Sequence, residues 1–244
     1  MLPFLPSRLA ALLIGLLLGA TAFAQDEDPE STRQGRESYL GREIARTMHW
    51  TGADWLLRET RDNEENGARL REWLDLQPGD VVCDFGCGNG YHTLPMAKAV
   101  GETGKVFAVD LQVPMLAMLR ERLTEAEITN VELVEADIDD PKLPENSCDV
   151  ILMVDVYHEL SHPVRVLDHI RRALKPGGRV VLGNFHPRNP TRALMEHVLD
   201  WRLIHRTEAD MDRLFAASRF GRPASRVRFE PSGVNLFAEC VRSR

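Results

Sequence analysis

Two apolar periods alternate along this chain. Short apolar runs recur and close on an acid. Val81-Val82-Cys83 closes on Asp84, Val106-Phe107-Ala108-Val109 on Asp110, and Cys148 to Val154 on Asp155, while Val131 to Ile138 carries Asp137 near its end. Runs of this length and β-branched content predict buried strands. Between them, apolar residues recur three and four positions apart. Leu70, Trp73 and Leu74 predict a helix over Asn63–Leu76. Met115, Leu116 and Leu119 predict one from Pro114 to about Thr124, and Val166, Leu167, Ile170 and Leu174 one over Val164–Leu174. Further on, Ala193–Trp201 and Glu208–Ser218 read as helices, the second capped by Thr207. Val227–Phe229 and Leu236–Val241 read as a closing hairpin around Pro231-Ser232-Gly233. Strands alternating with helices predict an α/β protein with a parallel sheet.

The first strand ends in Asp84-Phe85-Gly86-Cys87-Gly88-Asn89-Gly90, ahead of a helix from Thr93 to Val100. Glycine permits close backbone approach and positive φ, and a helix N-terminus supplies free N–H donors, so the corner suits an anionic or polar ligand group. A dinucleotide fingerprint needs a third glycine where Tyr91 stands. That residue argues against a nicotinamide-dependent oxidoreductase.

The D-x-G-x-G-x-G pattern resembles the first motif of class I S-adenosylmethionine (SAM) methyltransferases. The later acids and the Leu174-Lys175-Pro176-Gly177-Gly178 turn are similar to that family's further motifs, over about residues 70 to 185. The resemblance implies a doubly wound, seven-stranded, mostly parallel, Rossmann-like sheet with an antiparallel last strand. It implies SAM as cofactor. Asp84, Gly86, Gly88 and Gly90 would hold the amino acid end. Asp110, 20 residues after Gly90, would meet the ribose with Leu111 beside it. Asp137 would bond the adenine with Ile138 beside it, and Asp155 would close the cofactor set.

Ligands of open α/β sheets bind beyond the carboxyl ends of the strands. Tyr157, His158, Glu159, Asn184 and His186 follow such ends and are candidates for the acceptor side. His158 is the candidate proton acceptor. Its plain alternative is a loop-orienting or packed imidazole.

The front of the chain differs. Arg8, the apolar run Leu9–Ala20 and Ala22-Phe23-Ala24 predict a cleaved export signal over residues 1–24, and hence a periplasmic protein. Residues 25–36 read as a disordered linker, 37–76 as a helical cap, and 77–244 as the cofactor-binding domain. No other segment is long and apolar enough to span a membrane. Export sets the reading against a cofactor made in the cytosol, so a non-catalytic exported protein that binds a metabolite or partner is the alternative. A net charge of −7 and a pI near 5.7 favour a small-molecule substrate over nucleic acid. Cys83, Cys87, Cys148 and Cys240 show no metal-ligand spacing and leave their disulfide state open, as the sequence does the oligomeric state.

Overall fold

A computed structural model describes residues 37–39, 42–190, 192–197, 203–230 and 232–243. The expected signal (1–24) and linker (25–36), Pro231, and the last residues of the expected Ala193–Trp201 helix lie outside the described residues.

The entry segment is less helical than its spacing predicts. It forms a two-residue antiparallel pair, β1 (Ser38–Tyr39) and β2 (Arg42–Glu43), then a 3₁₀ helix over Trp50–Leu57. Residues 44–49 form no regular element. Some of their backbone groups bond to distant loops instead: Ala45 N donates to the His158 carbonyl at 3.1 Å. The expected Asn63–Leu76 helix is two helices, α1 (Arg61–Glu65) and α2 (Gly67–Leu74). Asn66 between them adopts left-handed φ 47° and ψ 47°, and its side chain accepts from Arg69 N at 3.2 Å, so one residue stops α1 and caps α2.

The later apolar runs become the main sheet. Its strands are β3 (Val81–Phe85), β4 (Lys105–Asp110), β5 (Val131–Glu135), β6 (Cys148–Val154), β7 (Leu174–Phe185), β8 (Arg226–Phe229) and β9 (Asn235–Val241). Their order is β5-β4-β3-β6-β7-β9-β8. All neighbours are parallel except β9, which runs antiparallel to both β7 and β8. This is the expected seven-stranded, doubly wound sheet with its antiparallel last strand. Helices α3 (Thr93–Val100), α4 (Val113–Glu125), α5 (Pro163–Ala173), α6 (Arg192–His197) and α7 (Glu208–Ala217), with a 3₁₀ turn over Tyr157–Glu159, complete the elements among the described residues.

The central strands are buried on both faces, which is why they read as unbroken apolar runs. Along β6, Ile151 and Met153 pack with Val166, Leu167 and Ile170 of α5 and Phe215 of α7. Val150 and Leu152 pack on the other face with Leu70 and Leu74 of α2 and Met96 and Val100 of α3. Each such side chain contributes about 1.5–3 kcal/mol when fully buried. After β3 the chain winds outward through β4 and β5, then returns to place β6 on the opposite side of β3. The reversal leaves a crevice at the carboxyl ends of β3 and β6.

Candidate active site

A single pocket occupies that crevice. Asp84, Gly86 and Gly88 come from the end of β3 and the turn behind it, Asp110 and Leu111 from the end of β4, Asp137 and Ile138 from beyond β5, and Asp155 and Glu159 from beyond β6. These nine of the sequence-predicted residues share one cavity. Leu56, Arg61, Glu65, His92 and Gln112 line it too and were not singled out from the sequence.

The glycine corner has φ of 73°, 53° and 92° at Gly86, Gly88 and Gly90, which side chains rarely adopt. A Cβ on Gly88 would lie 2.8 Å from Leu56 Cδ1, against the pocket wall. Gly90 differs from its expected role: a Cβ there would lie 2.3 Å from Leu119 Cδ1, so it seats the turn on α4 and does not line the cavity. The corner's amides are mostly engaged. Gly86 N and Cys87 N donate to the Val109 carbonyl at 2.8 and 3.0 Å, and Gly90 N to the Cys87 carbonyl at 3.0 Å. Gly88 N donates to Asp110 Oδ2 at 2.9 Å.

The carboxyl groups are held differently. Asp84 is buried and accepts from Thr93 Oγ1 at 2.6 Å; burial pushes it up to about 6, with Asp110 adding repulsion and Arg61 opposing. Asp110 also accepts from Gln112 N at 2.8 Å, and burial raises it. Asp155 adopts φ 55°, its N donates to the Gly183 carbonyl at 3.1 Å, and its Oδ1 meets no hydrogen-bond partner. Burial and the neighbouring Glu65 push it up to about 8. Glu159 also rises to about 8 through burial, although Thr47 and the Met48 backbone bond it. Asp137 sits on the rim, exposed, with its Oδ1 2.8 Å from Lys142 Nζ.

The cap forms the facing wall. Gln112 bridges to it twice: its Nε2 donates to the Met48 carbonyl and its Oε1 accepts from Trp50 N, both at 2.9 Å. Asn89 Nδ2 donates to the Ala53 carbonyl at 2.9 Å. Arg61 is buried. Its Nε donates to Glu65 Oε2 and its Nη1 to the Leu56 carbonyl, both at 2.8 Å, and its guanidinium lies 4.0 Å from the centre of the Tyr91 ring.

The remaining candidates lie behind this wall. His158 is 1% exposed and Asn184 1% exposed, and neither lines the cavity. The Asn184 Nδ2 donates to the Phe185 and Ile204 carbonyls, both at 2.9 Å, and its Oδ1 accepts from Arg206 at 2.7 Å. Tyr157 packs against the core with the Arg206 guanidinium 4.8 Å from its ring centre. His186 accepts from Arg188 N at 3.2 Å and meets the Phe229 ring edge-on at 5.3 Å. Alternation along β7 turns Asn184 and His186 away from the cavity that Phe185 lines, and the 3₁₀ turn Tyr157–Glu159 sends only Glu159 to it, so one of the five acceptor-side candidates lines the pocket. The four cysteines are free and buried, and no metal-ligating cluster occurs among the described residues.

A methyltransferase-domain family model matches residues 82–178. The Ubiquinone/menaquinone biosynthesis C-methyltransferase UbiE of Ectopseudomonas mendocina is 30% identical over 183 residues, covering 70% of each chain. Its namesake from Azotobacter vinelandii is 30% identical over 172 residues, covering 67% of this chain and 66% of that one. Among solved structures, a SAM-dependent methyltransferase from Aquifex aeolicus superposes with a TM-score of 0.69 at 22% identity, over 80% of this chain and all of that one. The magnesium protoporphyrin IX methyltransferase of Synechocystis, solved with S-adenosylhomocysteine, superposes with a TM-score of 0.54 at 21% identity, over 80% of this chain and 83% of that one.

The residues present fit the cofactor. SAM carries an ammonium, a sulfonium and a carboxylate. The pocket offers six carboxyl side chains and Arg61, and the unpartnered atoms Asp155 Oδ1 and His92 Nδ1 belong to residues that line it. Apolar Leu111, Met115, Ala136 and Ile138 line the same cavity, as an adenine requires. The fold, the acid-lined crevice and the relatives agree, and this chain belongs to the class I SAM-dependent methyltransferases.

Proposed function

We propose that this enzyme methylates a small, partly apolar acceptor that lies between the cap and the turn after β6, on the side of the pocket holding Asp155 and Glu159. One observation carries the proposal: carboxyl groups from the ends of β3 and β4 and from beyond β5 and β6 line the same cavity, so each can grip a different part of the ligands. Asp84, Gly86 and Gly88 hold the cofactor's amino acid end, Asp110 its ribose, and Asp137, Leu111 and Ile138 flank its adenine. When bound, SAM supplies an electrophilic methyl group on sulfur.

The chain's own contribution is alignment and exclusion of water. Met48, Trp55 and Leu56 of the cap, Val156 and Leu160 beyond β6, and Phe185 at the end of β7 give the pocket an apolar lining. Glu159 replaces His158 as the candidate proton acceptor. Its raised pKa of about 8 lets it hold or take a proton near neutrality. The relatives named as C-methyltransferases support carbon as the atom methylated. Incubation with methyl-labelled SAM and separate sets of hydroxylated aromatics and primary amines tests this. Label fixed on carbon is the expected product, and label found only on nitrogen overturns it.

We propose also that the protein is exported, with cleavage after Ala24. The support is the apolar run Leu9–Ala20 followed by Ala22-Phe23-Ala24. Mass analysis of the protein expressed from its full sequence should return a chain that starts at Gln25. An intact Met1 terminus rejects the assignment.

A further inference from the structure

The pocket's charge is lopsided. Glu65, Asp84, Asp110, Asp137, Asp155 and Glu159 line it against Arg61, and His92 adds no second cation because burial, Arg61 and Arg71 hold it well below its ordinary value. Five of these acids belong to the strand ends. Arg61 and Glu65 come from α1, outside every motif that marks the family in this sequence.

The cofactor's own carboxylate therefore needs a partner in an acidic pocket. The usual place is the row of amides at a glycine turn and helix N-terminus. In this chain most of those amides are committed. Gly86 N and Cys87 N bond the Val109 carbonyl, Gly88 N bonds Asp110, Gly90 N bonds the Cys87 carbonyl, and the Thr93 backbone bonds Asp84. Arg61 lies close enough to Asp84 and to Asp155 to oppose the rise of both. It is oriented from three directions, by Glu65, the Leu56 carbonyl and the Tyr91 ring, whose hydroxyl is bonded in turn to Asp62. A buried ion pair held in this way is costly to keep for stability alone.

We propose that Arg61 is the receptor for the α-carboxylate of the bound cofactor, with Glu65 aligning the guanidinium and Asp84 taking the adjacent ammonium. The cap then reads the amino acid end of the cofactor, while the strand ends read its nucleoside. This rests on the cofactor assignment, and the test separates the two.

Calorimetry on the full chain with two probes, S-adenosylhomocysteine and its decarboxylated counterpart, provides the test. A charge-assisted contact with the carboxylate makes the wild type prefer S-adenosylhomocysteine by about 10- to 100-fold. In Arg61→Gln the ratio falls to within about 3-fold because S-adenosylhomocysteine loses affinity and the decarboxylated probe does not, an outcome that a purely structural role for Arg61 does not produce. Arg61→Lys keeps the charge but loses the planar fork, so its ratio falls between the two. It decides the matter if the Gln variant melts too low to titrate. An undiminished ratio in either variant, or no preference in the wild type, overturns the proposal and returns the carboxylate to the backbone amides. Failure of the wild type to bind either probe overturns the cofactor assignment itself.

Discussion

The two walls of the pocket are built on opposite principles. The strand-end wall is local. Asp84, Asp110 and Asp155 each stand within one residue of the end of an apolar strand, and parallel pairing from β4 through β3 to β6 brings those ends together. The cap wall is not local. Thr47 and Met48, in an irregular stretch, and Ala53 and Leu56, in the 3₁₀ helix, are tied down through Gln112, Asn89, Glu159 and Arg61, which lie between 5 and 112 positions away in sequence. A wall made by register tolerates no change in its frame. A wall made by side-chain ties can loosen in steps.

Variants sharpen this contrast. The largest effect is expected at the corner itself. Gly90→Val puts a branched side chain at φ 92° and against Leu119, and should cost about 3 kcal/mol from backbone strain and overpacking together, read as a fall in the denaturation midpoint. Near-wild-type stability would show that α4 gives way. Next, Asp110→Ala removes the acceptor of both Gly88 N and Gln112 N and the proposed ribose contact. S-adenosylhomocysteine should bind about 100-fold more weakly by calorimetry, in line with losing one to two charge-assisted bonds. Equal binding would remove Asp110 from the site. On the other wall, Gln112→Ala cuts both ties to Met48 and Trp50 and should weaken binding only about 10-fold, mainly through faster release in stopped-flow traces. If it matched Asp110→Ala, the two walls would be equally rigid and the contrast would fail.

The smallest effect is one of pH. Asp155 has a folded pKa near 8, above its unfolded value near 3.8, so the unfolded chain gives up this proton first as pH rises. The stability that its neutral form contributes is complete below the unfolded value and lost as pH climbs toward 8. Asp155→Asn has no such proton to lose. Between pH 6 and pH 7 the wild type should lose about 2–5 °C of melting temperature more than the variant without ligand. Parallel melting curves for the two proteins would place the charge of Asp155 in solvent.

The same contrast explains what was legible in the chain. The α/β order, the seven strands and the acids at their ends follow from run length and from the residue that closes each run. Those features are written within ten residues of one another. Other features are not visible in an apolar period. Asn66 splits a helix because its own side chain caps the second half, which an apolar period does not reveal. Gly90 looks like its neighbours in the motif, yet the atom next to it belongs to α4. His158 follows a strand end as Glu159 does, but a single 3₁₀ turn over Tyr157–Glu159 sends Glu159 to the cavity and His158 into the interior. Arg61 and Glu65 left one trace in the sequence, a base and an acid four positions apart beside apolar residues, which also describes many solvated helix faces.

By itself, then, the sequence determined the alternation of strands and helices and the chemical character of the crevice at the sheet's carboxyl end, because strand length, burial on both faces and glycine placement are local properties of the chain. Only the tertiary structure decided which polar side chains face the ligand, because a rotation of one residue in a turn, or one distant hydrogen bond on the cap, changes what a side chain meets without changing any pattern along the chain.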